Sequence, residues 1–293
     1  MDNNDKVILE EPVSDFWNVW YSELHNQEVG LSIKIKKMLY SGESEFQRID
    51  VLDSCYFGKM LILYGSIMIT EKDEFIYHEM ITHVPMFTHP DVQNALIIGG
   101  GDGGTLRELI KHQSIKKITQ VEIDKKVIEV SKKYFPEVAK EFDNPKVKLV
   151  YEDGAEFIKK TEEKYDLIII DSSDPVGPAI SLFSKSFYSY CFNALNDDGI
   201  LTAQTESPFF NKNEVRKIYK NLKDIFPIVK MYLAYVPTYP SSLWSFALCS
   251  KKYDPVEDFD NNRYKNLNLK TNYYNCDIHK ACFSLPNFVK ELL

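Results

Sequence analysis

The feature that most constrains this chain is a rhythm that begins at Ala95. A short apolar strand, a tight polar turn and a helix follow one another, and the unit then repeats. Residues 95–98 read as a strand with no polar side chain, running into Gly99-Gly100-Gly101-Asp102-Gly103-Gly104 and a helix over 105–112. Residues 118–121 form the next strand, followed by Glu122 and a helix over 125–134. A third strand over 147–151 ends in Glu152-Asp153-Gly154, and a fourth over 167–170 ends in Asp171-Ser172-Ser173-Asp174-Pro175. Strands covered on both faces read as unbroken apolar runs, as these do. Alternating β and α units imply a doubly wound, mostly parallel sheet of the Rossmann kind, which binds ligands at the carboxyl ends of its strands.

The flanking segments complete an α/β chain. Downstream, helices are expected over 183–195 and 213–226, and strands over 200–204, 228–236 and 244–249. Upstream, residues 46–70 alternate β-rich runs with turns: strands over 47–55, 60–64 and 66–70, separated at Gly58 and Gly65. A helix starts within the acidic run 71–74 and continues toward Phe87, negative charge being favourable at a helix N-terminus. The expected organisation is a small antiparallel β domain over residues 1–75 and a larger Rossmann-like catalytic domain over 76–293.

Charge narrows the ligand classes. The chain carries 35 Lys and Arg against 43 Asp and Glu, a net charge of −8. A phosphate-binding surface needs clustered basic residues, so nucleic acid is not an expected partner; a small cationic ligand suits the balance better. The five cysteines, Cys55, Cys191, Cys249, Cys276 and Cys282, are scattered and form no Cys-x-x-Cys pair. They imply a reducing compartment with neither a zinc site nor a disulfide framework. The first dozen residues have no signal pattern, and the apolar runs are too short to span a bilayer. A soluble, cytoplasmic protein without a membrane partner is expected.

The glycine turn fits Gly-x-Gly-x-x-Gly at Gly99, Gly101 and Gly104, a weak signal alone and a nucleotide or nucleoside site in its strand–helix context. Asp102 inside that turn argues against a dinucleotide. A carboxylate about 4 Å from a phosphate is opposed by roughly 1–4 kcal/mol per charge pair. The acid suits a cationic ligand without phosphate, such as an adenosyl-sulfonium compound. Glu122 has two oxygens for the two ribose hydroxyls, and Asp153 can accept from an adenine amino group. Singly, each acid reads as a helix cap or a solvated loop residue. Together, Asp102, Glu122, Asp153 and Asp171 put an acid at the end of four successive strands, all facing one crevice.

Asp171 and Asp174 bracket a Ser-rich turn whose composition turn chemistry alone would explain. Read functionally, they are paired carboxylates that grip an ammonium group, with Glu206 as a third acid and Tyr77 and Tyr239 as hydroxyls and ring faces for a cationic alkyl chain. A diamine must keep one nitrogen charged while the other loses a proton to attack. Asp171 is placed to accept that proton.

These residues resemble the spermidine synthase (aminopropyltransferase) family. The resemblance is carried by Gly-Gly-Gly-Asp-Gly-Gly at 99–104, Asp-Ser-Ser-Asp-Pro-x-Gly-Pro-Ala at 171–179, Tyr-His-Glu-Met at 77–80 and Pro-Thr-Tyr-Pro at 237–240. Gln47, the Thr-Glu-Lys-Asp-Glu-Phe run at 70–75 and Tyr-Tyr-Asn at 273–275 are similar too. It runs from about Leu31 to the C-terminus. It implies an N-terminal β domain on a methyltransferase-like Rossmann domain, and a homodimer or homotetramer. It implies decarboxylated S-adenosylmethionine as a co-substrate, with no cofactor, and putrescine as acceptor, giving spermidine and methylthioadenosine. Carried over by motif, Gln47, Leu63, Asp102, Glu122, Ile123, Asp153, Gly154, Pro178, Ala179 and Leu182 surround the donor. Tyr77, His78, Asp171, Asp174, Gln204, Glu206 and Tyr239 line the amine site, Asp171 and Tyr77 being catalytic, and 171–182 forms a loop over both ligands.

Departures cluster in the segments that would hold the amine. Asn26-Gln27-Glu28-Val29 stands near the family's Trp-Pro-Gly-Gln, Met68 replaces a Gln, Tyr64 an Asp and Phe209 a Trp. Ser241-Ser242-Leu243-Trp244-Ser245 follows Pro240 where Ser/Cys-Gly-x-Ile-Gly is usual. The donor site reads as intact and the acceptor pocket as rebuilt. Three alternatives stay open: a related aminopropyltransferase with another amine, such as a spermine synthase; a diamine N-methyltransferase; and a non-catalytic polyamine-binding protein.

Overall fold

The computed structural model describes residues 18–26, 28–174 and 177–293. Its first unit is a meander of five antiparallel strands in sequence order: β1 Trp20–Leu24, β2 Gly30–Glu43, β3 Arg48–Ser54, β4 Lys59–Leu63 and β5 Ser66–Thr70. Alternation decides its two faces. Ile49, Val51, Leu61 and Ile69 pack toward the second unit, while Ile33, Ile35, Leu52, Met60, Ile62 and Ile67 form a separate small core.

The second unit opens with helix α1, Glu74–Thr88, followed by β6 Asn94–Gly99, α2 Gly104–Ile110, β7 Lys117–Val121, α3 Lys125–Tyr134, β8 Val147–Val150, α4 Gly154–Lys160 and β9 Tyr165–Asp171. It continues through α5 Lys185–Ala194, β10 Leu195–Gln204, α6 Lys212–Lys223, β11 Ile228–Tyr235 and β12 Leu243–Ser250. The seven strands lie in the order β11-β12-β10-β9-β6-β7-β8. Strands β10, β9, β6, β7 and β8 are parallel, and β12 runs antiparallel to both β10 and β11. Ile97 and Ile169 point into the core shared with α1 and α2, whereas Leu96, Ile98, Ile168 and Ile170 point into that under α4, α5 and α6. Each such side chain contributes roughly 1.5–3 kcal/mol on burial. Chain order reverses between β6 and β9, which sets the ligand crevice at their carboxyl ends. There Gly99 pairs in register with Asp171, and Gly100 N–H donates to Asp171 O at 2.8 Å.

The first unit is locked to the second where Val127, Val130, Phe135 and Val138, from α3 and just beyond, meet the inner face of the meander. Polar contacts reinforce this. Asp124, which caps α3, accepts from Ser44 Oγ (2.6 Å) and from Gln47 Nε2 (3.1 Å). The turn between β2 and β3 is thereby fixed beside the end of β7.

Several boundaries differ from expectation for local reasons. Strands β1 and β2 lie outside the expected elements, although Leu31-Ser32-Ile33-Lys34-Ile35-Lys36 alternates as a half-buried strand does. Helix α1 starts at Glu74, inside the expected run, and Asp73 before it accepts from Thr238 N–H and hydroxyl and does not cap the helix. The helix expected over 183–195 is a 3₁₀ turn, Gly177–Phe183, and then α5, begun by Ser184, whose hydroxyl accepts from Phe187 N–H at 3.2 Å. Strand β10 starts at Leu195 and is bulged before Ile200. Among the described residues no helix is long and apolar enough to cross a membrane.

Candidate active site

The crevice holds a cavity of about 340 Å³, lined from both units. On one side lie the glycine turn and the ends of β7 and β8; on the other lie α1, the end of β9, and the segment after β11. Every donor residue expected from the sequence whose side chain is described lines it: Gln47, Leu63, Asp102, Glu122, Ile123, Asp153, Gly154, Ala179 and Leu182. Pro178 belongs to the 3₁₀ turn by its backbone; its side chain, like Pro175, lies outside the described residues.

Asp102 is held by more than its turn. Its Oδ1 accepts from Gly104 N–H at 2.7 Å, and His78 Nε2 lies 3.1 Å from the same oxygen as an ion-pair contact. His78 Nδ1 is 2.6 Å from Glu74, and Arg107 grips Glu74 with two bonds of 2.8 and 2.9 Å. The result is a buried chain of alternating charge, Arg107–Glu74–His78–Asp102. Burial alone would lower the His78 pKa, but Asp102 and Glu74 overcome it and raise it to about 10. Burial alone would raise the Asp102 carboxyl; its contact with His78 wins and lowers it. Gly104 leaves room for this chain, since a Cβ there would sit 2.2 Å from the His78 ring. His78 therefore lines the cavity with both ring nitrogens already facing carboxylates. Its contact with Asp102 places it beside that acid as well as in the cavity wall.

Glu122 accepts from Asp124 N–H at 2.9 Å, and burial, then the charge of Asp124, Asp102 and Asp171, lifts its pKa to about 7. Asp153 is at once cap and cavity wall: its Oδ1 accepts from Ala155 N–H (2.7 Å) and Glu156 N–H (3.3 Å) at the start of α4. The cap expected of that acid is present, and the same side chain lines the cavity.

Asp171 sits at the centre. Its Oδ1 accepts from the Tyr77 hydroxyl at 2.8 Å and its Oδ2 from Thr105 Oγ1 at 2.6 Å. Burial and then the charge of Asp102 raise its pKa, and His78, Thr105 and Tyr77 restrain the rise. Asp174 lines the same cavity, but Glu206 does not. Glu206 is buried behind Asp174, and the two carboxyls share a hydrogen bond. Burial, then Asp174, holds Glu206 well above the ordinary carboxylate range. Its backbone is left-handed (φ 70°), held by Ser245 Oγ donating to its carbonyl at 2.7 Å and by its own N–H donating to Gln204 Oε1 at 3.0 Å. Tyr239 lines the cavity with its ring, but its hydroxyl donates to Met68 O at 2.6 Å. It is not a free donor for a ligand.

The variant segments divide. Tyr64, Met68 and Trp244 line the cavity, Trp244 lying edge-on to Tyr239 with ring centroids 4.9 Å apart. Asn26 and Phe209 do not: Asn26 is an exposed turn residue accepting from Glu28 and Val29 N–H, and Phe209 packs against Phe210 and Phe288. Gln27 lies outside the described residues. The sequence reading also missed Glu23 of β1. It reaches the cavity by accepting from Ile67 N–H at 2.9 Å, and burial, with Asp174 adding to it, raises its pKa to about 7. Recognising β1 by its pairing with the alternating β2 would have flagged this buried acid.

Known proteins place this geometry. Residues 74–261 match the spermine/spermidine synthase domain, and residues 19–71 the spermidine synthase tetramerisation domain. A polyamine aminopropyltransferase of Alkaliphilus oremlandii is 52% identical over 94% of this chain and 98% of its own length, and one of Clostridium perfringens strain 13 is equally similar. A spermidine synthase solved in complex with the transition-state analogue AdoDATO superposes with a TM-score of 0.93 at 44% identity, covering 97% of this chain and 98% of that one. The spermidine synthase of Thermotoga maritima superposes with a TM-score of 0.92, also at 44% identity, covering 97% of each chain. The chain belongs to the spermine/spermidine synthase family, whose enzymes transfer aminopropyl groups.

Proposed function

We propose that this enzyme moves the aminopropyl group of decarboxylated S-adenosylmethionine to putrescine, giving spermidine and 5'-methylthioadenosine. The observation that carries the reading is the position of Asp171. It is a buried carboxylate of raised pKa between a wall that ends in Asp102, Glu122 and Asp153 and one that ends in Asp174. Glu122 takes the ribose hydroxyls, Asp153 the adenine edge and Asp102 the donor's ammonium. Gln47, Leu63, Ile123, Gly154, Ala179 and Leu182 enclose the nucleoside. Tyr77, Asp174, Gln204 and Tyr239 line the acceptor's path, with Glu206 supporting Asp174 from behind.

Chemistry follows from charge. The acceptor's neutral nitrogen forms a bond to the propyl carbon next to sulfur; the carbon–sulfur bond breaks, and its electron pair neutralises the sulfonium. Asp171, whose raised pKa suits a general base, takes the proton that the acceptor's nitrogen sheds to become neutral, and the product's secondary nitrogen keeps its charge. No step calls for a cofactor. We further read the assembly as a homodimer or homotetramer, supported by the match to the tetramerisation domain and by the exposed Val19, Trp20, Leu24 and Met38 of the first unit. A cytoplasmic location fits substrates of this kind.

An amine-panel turnover assay with decarboxylated donor tests the reading. Putrescine is expected to be converted to spermidine with the highest kcat/KM. A stronger preference for cadaverine or spermidine would overturn the acceptor and keep the reaction class. Stabilisation against heat by the full donor but not the decarboxylated one would point instead to methyl transfer.

A further inference from the structure

Thr105 is fully buried, in the first turn of α2, directly after the glycine turn. Its hydroxyl has the shorter of the two side-chain bonds to Asp171, 2.6 Å to Oδ2 against 2.8 Å from Tyr77 to Oδ1. The room for that carboxylate oxygen is made by Gly100, where a Cβ would stand 2.9 Å from Oδ2. The two hydroxyls thus hold Asp171 at both oxygens, from α1 and from α2. Each oxygen keeps a second lone-pair direction for a ligand. We propose that Thr105 is a positioning residue for the transfer reaction, fixing the rotation of the Asp171 carboxylate and keeping it in the proton-accepting form.

The surroundings explain why such a device is needed. Asp171 is faced by Tyr77 and His78 from α1, Asp102 from the glycine turn, Glu122 from the end of β7 and Tyr239 from the segment after β11. Burial and the negative charge of Asp102 favour the protonated acid, in which the site has no base. Of the groups that oppose this, His78 is paired with Glu74 and Asp102, so its charge is shared. Tyr77 and Thr105 act on Asp171 through direct hydrogen bonds. A neutral donor to a carboxylate stabilises the charged form without adding a cation that would repel the substrate's ammonium. Thr105 also binds its carboxylate from the glycine-turn side, so the base stays registered to the donor's wall when the acceptor is absent.

The inference rests on Asp171 being the base, so Asp171→Asn is run beside the test variants. Thr105→Val keeps the side chain's shape and removes the hydroxyl. Loss of a hydrogen bond to a charged group should lower kcat by roughly ten- to a hundred-fold. The acid limb of the kcat–pH profile should move to higher pH, while the donor KM stays within a few-fold. Thr105→Ser should restore both the rate and the profile; Thr105→Ala, which also lacks the hydroxyl, should not, and this pair serves if the Val variant does not fold. An unshifted acid limb in Thr105→Val or Thr105→Ala, with Asp171→Asn severely impaired, would overturn the role of Thr105 alone. Near-normal turnover in Asp171→Asn would overturn the base assignment beneath it.

Discussion

The two walls of the cavity are built by different rules. The wall proposed for the donor is made of strand ends. Gly99–Gly104, Glu122 and Asp153 follow β6, β7 and β8 directly, and each acid is fixed by backbone N–H groups of its own turn. The wall proposed for the acceptor is made of meetings between distant segments. Glu23 is held by Ile67 and Tyr239 by Met68, while Glu206, which supports the wall without lining the cavity, is held by Ser245. A wall fixed by local turns tolerates little sequence change, because each side chain also accepts a hydrogen bond from the backbone of its own turn. A wall fixed by long-range contacts can be resurfaced one residue at a time. This accounts for a donor motif that matches the family and an acceptor wall carrying Tyr64, Met68 and Trp244.

The sharpest way to break the comparison is at its midpoint. Asp171 belongs to a strand end yet is proposed to serve the acceptor. Asp171→Asn preserves shape and removes the proton acceptor, and the expected turnover loss is about 10²–10⁴-fold with donor affinity largely kept. Single-turnover kinetics beside donor calorimetry measure both. Turnover within a few-fold of the unsubstituted enzyme would mean that the base lies elsewhere.

Next in size is a test of the donor wall. Asp102→Asn should weaken the decarboxylated donor by roughly 1–3 kcal/mol, the loss of one charge-assisted hydrogen bond, and leave methylthioadenosine nearly unaffected. The pairing with His78 sharpens the expectation. Removing the carboxylate would leave a buried imidazolium without one of its two partners, so the His78 pKa should fall from about 10. NMR titration of that imidazole checks the fall. Equal weakening of both nucleosides in calorimetry would remove the donor's ammonium from Asp102.

Legibility follows the same division. The glycine turn, Glu122, Asp153 and Asp171 are readable because an apolar run ending in an acid declares both strand and site. Even Asp153, which reads as a cap, is a cap, and the cap is what aims it. Glu23 is not readable, since its role depends on β1 pairing with β2 and on Ile67 across the meander. Glu206 reads as a cavity residue, and only the left-handed turn after β10 reveals that it stands behind Asp174. Asn26 and Phe209 read as amine-pocket changes because motif position suggests adjacency, whereas the fold turns both away. The hydroxyl of Tyr239 is available on paper and is taken up by a carbonyl 171 residues away.

A smaller effect tests the acceptor wall by its protons. Glu23 has a folded pKa near 7 because it is buried beside Asp174. A bound ammonium favours the charged carboxylate, so binding should lower that pKa and release a fraction of a proton near neutrality. The sign is fixed: amine affinity should fall as pH drops below about 7 and flatten above it. Calorimetry in buffers of different ionisation enthalpy, on enzyme saturated with methylthioadenosine so that Glu122 is already engaged, reads the release. Glu23→Gln should diminish it and weaken amine binding by about ten-fold or less. Undiminished proton release in that variant would place the titrating group elsewhere.

The smallest effect concerns Met68. Its carbonyl anchors Tyr239 and its side chain lines the cavity without a strong hydrogen-bonding group. Trp244 packs edge-on to Tyr239 and adds an aromatic ring to this corner of the cavity. Met68→Gln keeps the backbone anchor and adds an amide to the wall. It should move kcat/KM toward putrescine over cadaverine by only a few-fold, about 1 kcal/mol, because one exchangeable hydrogen bond is being added beside intact carboxylates. Competition between the two amines in one vessel resolves a shift of that size. No shift, with Tyr239 and Trp244 intact, would mean that the contact with Met68 does not reach the acceptor, and that amine choice lies with Asp174 and Glu23 alone.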